Sequence, residues 1–213
     1  MKKSAFVICV LAASFHHLAI AKTLTVGVDL SSSNPLVSSE TFARSAALYV
    51  ADHIRKLQMG DVIEIRRIGD NRVDNLNAEK IQISRRNRAD KVAQSVAQYI
   101  SNLPKKTYDQ ESTNILSFLE FQNFGCRSGG KIILLTDGVE YSTEASDPEG
   151  ILIGKKSFPA PNAGFLSGCE AIFYGLGQTS AGSMPSAWIR NLQNAWAAYM
   201  KTAGATFTAI VNP

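Results

Sequence analysis

The sequence predicts an α/β fold with a doubly wound, mostly parallel central sheet and helices on both of its faces. Short apolar runs rich in β-branched residues alternate along the chain with segments in which apolar residues recur every three or four positions. The first pattern is typical of strands buried on both faces, and the second is typical of amphipathic helices. Because the two patterns alternate, a helix should connect most strands to the next one, as in βαβ units.

Five strands and one edge strand are predicted. The strands are expected at 24–28, 62–68, 131–135, 170–175 and 207–211, and the edge strand should include Ile81 and Ile83. We find no internal repeat and no linker in the sequence, so residues 22–213 are expected to form one domain, which a chain of this length can fill with an adequate core.

Helices are predicted between these strands. The first should begin at Ser38 or Ser39, which are favoured N-cap residue types, and end near Gly60. The others are expected at 89–103, where Pro104 ends the helix, at 114–121, and at 186–203. Trp188 and Trp196 fit a core-facing side of the last helix, and the alternative is an exposed Trp188 near the ligand edge. Residues 105–112 are polar, which predicts a loop. Residues 142–168 are rich in proline and glycine, which predicts a long loop that either contains a small hairpin or does not.

The first 21 residues have the layout of a bacterial Sec-type signal peptide. Lys2 and Lys3 precede an apolar stretch at 5–13 that is too short to cross a bilayer. The tripeptide Ala19-Ile20-Ala21 then has the small-x-small pattern of a signal peptidase site. We therefore expect cleavage after Ala21 and a periplasmic or secreted mature protein. The alternative is an uncleaved anchor, which needs a longer apolar run.

Charge and hydropathy argue against several classes of function. The formal net charge of +4 includes the two lysines of the leader, so the cleaved chain has only a small excess of positive charge. This excess does not indicate a nucleic-acid partner. The basic cluster at 84–88 is expected to be a solvated loop or helix start. No segment after the leader offers the ~20 apolar residues of a transmembrane helix. Cys9 lies well before the cleavage point, so lipid attachment there is not expected.

Cys126 and Cys169 are the cysteines that remain after the predicted cleavage. In an exported chain, two cysteines are a disulfide candidate. Each stands just before a predicted strand, so both thiols lie at the same sheet edge if those strands are parallel neighbours. Closing the loop between them is worth roughly 4 kcal/mol in the chain-entropy model. The alternative is two separate buried thiols.

Two acidic turns follow predicted strands. Asp29-Leu30-Ser31-Ser32-Ser33 comes directly after strand 24–28, and Thr136-Asp137-Gly138 comes directly after strand 131–135. Ligands of open α/β sheets bind at the carboxyl ends of the strands. The turns offer carboxylate and hydroxyl oxygens, which suit a hard cation such as Mg²⁺, and they offer no sulfur, no imidazole and no evident nucleophile–base pair.

The combination of these turns resembles the von Willebrand factor type A (vWA) domain. The metal ion-dependent adhesion site (MIDAS) of that family has an Asp-x-Ser-x-Ser loop after the first strand, a Thr in a second loop and an Asp after the fourth strand. Asp29, Ser31 and Ser33 match the first element in full, and Asp137 matches the third. Thr113, just before the predicted helix 114–121, stands where the second is expected. The resemblance covers essentially the whole mature chain.

The resemblance implies a vWA-like, Rossmann-like domain at 22–213 that binds Mg²⁺, with Mn²⁺ or Ca²⁺ as alternatives. In the family the serines bind the ion directly, and a carboxylate from a protein partner fills the last coordination position. It therefore implies an exported adhesion or assembly module that binds a partner presenting an Asp or Glu, and not an enzyme.

Several residues have simpler explanations. Ser31 and Ser33 are also common turn residues, and Thr113 could be only a helix N-cap. Glu111 occupies a position where the family often has glycine, two residues before the Thr. Glu140 and Asp70 could lie behind the site, although surface carboxylates are the simpler account.

Two other functions stay open. The first is a scaffold with a degenerate metal site, whose contacts are made elsewhere, for instance through 142–168. The second is a Mg²⁺-dependent phosphotransfer enzyme with Asp29 as nucleophile. That chemistry normally requires a second carboxylate two residues further on, where this chain has Ser31.

Overall fold

A six-stranded sheet forms the centre of the computed structural model, which describes residues 21–69, 78–110, 112–120, 123–142, 145 and 147–213. Its strands are β1 (Thr23–Asp29), β2 (Val62–Ile68), β3 (Ala78–Gln82), β4 (Lys131–Leu135), β5 (Glu170–Tyr174) and β8 (Thr206–Ile210). Two further short strands, β6 (Gln178–Thr179) and β7 (Gly182–Ser183), form a separate hairpin. The fold is therefore the predicted mostly parallel α/β sheet.

The strand order is β3-β2-β1-β4-β5-β8, and only β3 is antiparallel to its neighbour. The chain adds strands on one side of β1, then crosses to its other side to form β4. This reversal is a topological switch point, and ligands of open α/β sheets bind at the carboxyl ends of the strands at such a point, here β1 and β4. The two strands pair in parallel with Val28 opposite Leu135. The turns that follow them therefore emerge side by side.

Within the described ranges, five α-helices cover the sheet: α1 (Glu40–Arg55), α2 (Ala89–Ser101), α3 (Ile115–Glu120), α4 (Pro148–Leu152) and α5 (Ser186–Ala203). Their apolar faces bury two separate cores. Helices α1 and α2 pack on one face of the sheet, and α3, α4 and α5 pack on the other. The helix ends follow local rules: the Ser39 hydroxyl accepts a hydrogen bond from the Phe42 amide at 3.2 Å, and Gly204 ends α5 with φ +84°.

Several sequence-based predictions need correction. Helix α1 ends at Arg55 and not near Gly60, and β3 ends at Gln82, so it includes Ile81 but not Ile83. Residues 142–168 contain the short helix α4, capped by Asp147, and the observed hairpin lies later, at 178–183. Helix α2 ends at Ser101, and Pro104 lies in a 3-10 turn, because proline is tolerated in a first turn. Trp196 is fully buried as predicted, but Trp188 is 39% exposed. The predicted leader, except Ala21, lies outside the described residues, as does Phe121.

The predicted disulfide bond between Cys126 and Cys169 is present. Because β4 and β5 are parallel neighbours, the segments that precede them meet at the amino edge of the sheet. The bridge therefore lies at the edge opposite the two acidic turns. Among the residues that the structure describes, no helix combines the length and apolar composition that a membrane crossing requires.

Candidate functional site

The carboxyl ends of β1 and β4 bring the two acidic turns together. Asp29 is the last residue of β1, and Asp137 lies two residues beyond β4. Between them, the buried Asn34 side-chain amide donates to the carbonyl oxygens of Asp29 and Leu135, both at 3.0 Å. Its own oxygen accepts from the Leu36 amide at 3.0 Å. Asn34 thus fastens the serine loop to the ends of both strands.

All five predicted ligand residues belong to one hydrogen-bonded network. The Ser33 hydroxyl donates to Asp137 Oδ2 at 2.8 Å and lies 3.2 Å from the Ser31 hydroxyl. The Ser31 amide donates to Asp29 Oδ1 at 2.9 Å, and the Thr113 hydroxyl donates to the same oxygen at 3.2 Å. The structure therefore brings Asp29, Ser31, Ser33, Thr113 and Asp137 into one place.

Two further residues contact Asp29 that the sequence analysis did not assign to the site. The Thr136 hydroxyl donates to Asp29 Oδ2 at 2.8 Å and accepts from the Gly138 amide at 3.0 Å. The Gln110 side chain donates to Asp29 Oδ1 at 3.3 Å, while its oxygen accepts from Leu30 N. Thr136 could have been found, since it adjoins Asp137 in the motif. Gln110 lies in a polar loop without any periodic signal.

Glu140 is not the surface carboxylate that the sequence analysis favoured. It is 2% exposed, and its Oε2 accepts from the Ile115 and Leu116 amides at 2.6 and 3.1 Å. Its other oxygen accepts from the Ser142 hydroxyl. Next to it, the Tyr141 amide donates to the Thr113 carbonyl at 2.9 Å. Glu140 therefore ties the loop of Thr113 to the loop of Asp137. Asp70 and Glu111 lie outside the described residues.

A second set of contacts fixes the outer side of the site. The Ser180 amide, in the turn between β6 and β7, donates to the Ser33 carbonyl at 2.7 Å. The Gly177 amide donates to the Asp137 carbonyl at 2.8 Å, and Trp196 Nε1 donates to the Gly138 carbonyl at 2.8 Å. Gly138 has φ +78°, and a Cβ there would lie 2.7 Å from Leu176 Cδ1. This turn therefore requires glycine.

The two carboxylates of the site are buried without a cationic partner. Asp29 is 0% exposed and Asp137 1%, and neither forms an ion pair with any residue in the described part of the chain. Burial raises the pKa of Asp29. Burial, and then the charge of Asp29, raise the pKa of Asp137 to about 7. Two negative charges are therefore unfavourable here unless a cation compensates them.

The available metal donors are oxygens of two acids and three hydroxyls. Within the described ranges, no cluster of three or more His, Cys, Asp or Glu side chains is placed to hold a metal ion. Ser33, unlike Ser31 and Thr113, is exposed to solvent. A ligand could therefore approach the network from the side of Ser33.

No protein-family model and no curated protein matches this sequence. Among solved structures, the chain is similar to the pilus adhesin SpaC from Lactobacillus rhamnosus GG in its open conformation, with a TM-score of 0.43 and 11% sequence identity. The similarity covers 90% of this chain and 28% of the adhesin chain. At this level the similarity supports no conclusion about function.

Proposed function

We propose that this chain is an exported vWA-like binding module in which Asp29, Ser31, Ser33, Thr113 and Asp137 hold a divalent cation. Mg²⁺ fits the oxygen donors, and Mn²⁺ and Ca²⁺ are the alternatives. The cation would in turn bind a carboxylate of a protein partner. The observation that carries this proposal is the contact between Ser33 and Asp137, because it joins the two halves of the MIDAS-like pattern.

The electrostatics of the site support a cation. Asp29 and Asp137 are both buried, and the charge of one raises the pKa of the other. A divalent ion would stabilise both ionised forms, and the neutral hydroxyls of Ser31, Ser33 and Thr113 would leave its charge only partly neutralised. A hard cation whose charge is only partly neutralised favours a further carboxylate ligand. The exposed side of Ser33 supports entry of such a ligand from outside.

The hydrogen bonds of Asp29 support binding over phosphotransfer. Its Oδ1 accepts from the Ser31 amide, Thr113 and Gln110, and its Oδ2 accepts from Thr136. An attacking carboxylate needs an oxygen that can approach the substrate. We therefore expect no turnover of a generic phosphoester by this protein.

Calorimetric titration with Mg²⁺ tests the metal site. We expect binding heat with the wild-type protein and none with the Ser31→Ala/Ser33→Ala double variant. Ser32→Ala is the matched control, because Ser32 is exposed in the same loop but lies outside the Asp-x-Ser-x-Ser pattern. Absence of heat from the wild type with Mg²⁺, Mn²⁺ and Ca²⁺ would instead support the scaffold with a degenerate site.

A second experiment tests the partner. The mature protein is immobilised and exposed to envelope extract, once with Mg²⁺ and once with a chelator. A specific partner should bind with Mg²⁺, be released by the chelator and fail to bind the double variant. Substitution of one Asp or Glu in that partner should abolish binding. A partner that binds equally in the presence of chelator would contradict the metal bridge.

A further inference from the structure

A buried carboxylate lies beside the predicted cleavage site, at the amino edge of the sheet. The backbone nitrogen of Lys22 donates to Asp61 Oδ1 at 2.9 Å. The other carboxylate oxygen accepts from the Gln58 amide at 2.8 Å, and Asp61 is 8% exposed. Lys22 is the residue that follows Ala21, after which the sequence predicts cleavage. The nitrogen that contacts Asp61 is therefore the one that cleavage would release.

We propose that removal of the leader converts this contact into an ion pair between the α-ammonium group of Lys22 and Asp61, so that processing stabilises the folded domain. Hydrolysis of the Ala21–Lys22 peptide bond by a signal peptidase adds the hydroxyl of water to the carbonyl of Ala21 and a hydrogen to the nitrogen of Lys22. The resulting amine takes up a proton from solvent near neutral pH. A neutral amide donor thus becomes a positively charged one, so Coulomb attraction to the Asp61 carboxylate is added to the existing hydrogen bond.

Both partners of the proposed ion pair are already held in place. The Val62 amide donates to the Lys22 carbonyl at 2.9 Å, which extends the pairing of β1 with β2 to the residue before the start of β1. The Asp61 amide donates to the Gln58 carbonyl at 3.0 Å, and the Asp61 carbonyl accepts from Ile83 at 2.8 Å. Surface ion pairs are weak partly because two mobile side chains must be ordered. Here a backbone nitrogen meets a buried carboxylate, so that loss is small.

The neighbouring charges do not compete for Asp61. Ala21, Lys22 and Asp61 line a cavity of about 390 Å³ together with the charged or titratable residues His53, Lys56, Lys131 and Glu170. Lys56 pairs with Asp52 at 2.6 Å, and Lys131 pairs with Glu170 at 2.9 Å. His53 Nδ1 lies 3.0 Å from the Tyr49 carbonyl. Asp61 forms no ion pair with a side chain in the described part of the chain.

The first test locates the new N-terminus. The protein is expressed with its own leader, recovered from the exported fraction and measured by intact mass. The expected mass corresponds to a chain that begins at Lys22. Any other first residue would overturn the proposal, because the ammonium group would then lie elsewhere.

The second test compares three chains that differ only at the N-terminus. One begins at Lys22, one retains Ala21, and one begins at Nα-acetylated Lys22; the last two keep the N–H of Lys22 without its charge. At pH 7 we expect the folding equilibrium constant of the first chain to be about fivefold larger than those of the other two, which corresponds to roughly 1 kcal/mol. Denaturant unfolding in the absence of divalent cations measures the three folding equilibrium constants, so the result does not depend on the metal site. Equal constants for the three chains would overturn the proposal.

Charge variants and pH then identify Asp61 as the partner. Asp61→Asn should remove the difference among the three chains. The control is Asp90→Asn, at an exposed position in the first turn of α2 that does not line this cavity, and it should leave the difference unchanged. Because an ion pair stabilises the protonated amine, we expect the pKa of the α-ammonium to lie above its unfolded value of about 8. The advantage should therefore be complete between about pH 5, where carboxyl groups are ionised, and pH 7, and be lost as pH rises through the folded pKa of the α-ammonium. An advantage that persists at pH 10.5 would contradict the ion pair. If Asp61→Asn does not fold, the difference in stability between the chain that begins at Lys22 and its acetylated form, measured across the same pH range, still tests the proposal.

Discussion

The Ser33 hydroxyl donates a hydrogen bond to Asp137 Oδ2 at 2.8 Å, although 104 residues separate the two in the sequence. The contact exists because β1 and β4 are parallel neighbours whose carboxyl ends lie side by side. It joins a hydroxyl from one turn to a carboxylate from the other. Residues that keep these turns in register should therefore control metal binding without being ligands.

Asn34 is the first such residue. Asn34→Ala removes the amide that bridges the Asp29 and Leu135 carbonyls, so these buried oxygens and the Leu36 amide lose their hydrogen bonds to Asn34. We expect a loss of about 2–3 kcal/mol in the free energy of unfolding, and weaker Mg²⁺ binding. Urea denaturation and calorimetry measure the two effects. The control is Asn87→Ala, which removes one side-chain hydrogen bond at an exposed position and should change neither.

Gln110 positions the carboxylate of Asp29 from the side. Gln110→Met keeps the volume of the side chain but removes the donor to Asp29 Oδ1. Because groups that orient metal ligands typically contribute 10- to 100-fold to affinity, we expect Mg²⁺ to bind about tenfold more weakly. Gln98→Met, at an exposed position of α2, is the control. An unchanged Mg²⁺ affinity in Gln110→Met would show that Asp29 is oriented without it.

Glu140 connects the loops of Thr113 and Asp137. Glu140→Ala leaves the Ile115 and Leu116 amides of α3 without their acceptor. We expect a loss of about 1–3 kcal/mol in stability and faster hydrogen exchange at these two amides. Glu149→Ala, in the first turn of α4, should leave both amides protected. Unchanged exchange in Glu140→Ala would contradict the connecting role.

The stability of the metal-free protein should depend on Asp137. Its pKa is raised from 3.8 to about 7 in the folded protein, by burial and by the charge of Asp29. The folded protein therefore retains a proton that the unfolded chain has released. The stability from this group is complete below about pH 4 and is lost as pH rises through 7. Saturating Mg²⁺ should oppose this loss, since it binds the ionised form.

Urea unfolding between pH 4 and pH 8, in chelator and in Mg²⁺, measures this dependence. Asp137→Asn removes the titrating group and should flatten the profile in chelator. If the wild type and Asp137→Asn lose stability equally over this range, another group is responsible for the pH dependence.

The sequence by itself determined the fold class, most element positions and the turns that carry the predicted ligands. Strand β2 and the helix at 186–203 have the predicted boundaries. Hydrophobic periodicity and the residues that start or end a helix are properties of neighbouring residues in the sequence, so the sequence shows them directly. The acidic turns were predictable for a related reason. Once two apolar runs are parallel strands, the residues after them must lie at one edge. The pairing of Cys126 with Cys169 follows from the same placement.

Only the tertiary structure decided which side chains support the site. Gln110 reaches Asp29 across 81 residues, and Glu140 reaches Ile115 across 25. Such contacts leave no periodic signal, because they depend on how loops fold back over the sheet. The same holds for the turn at Ser180 that braces Ser33, and for Trp188, whose exposure depends on what packs against the first turn of α5. Local sequence patterns place backbone segments, whereas burial and hydrogen-bond partners depend on segments distant in the chain.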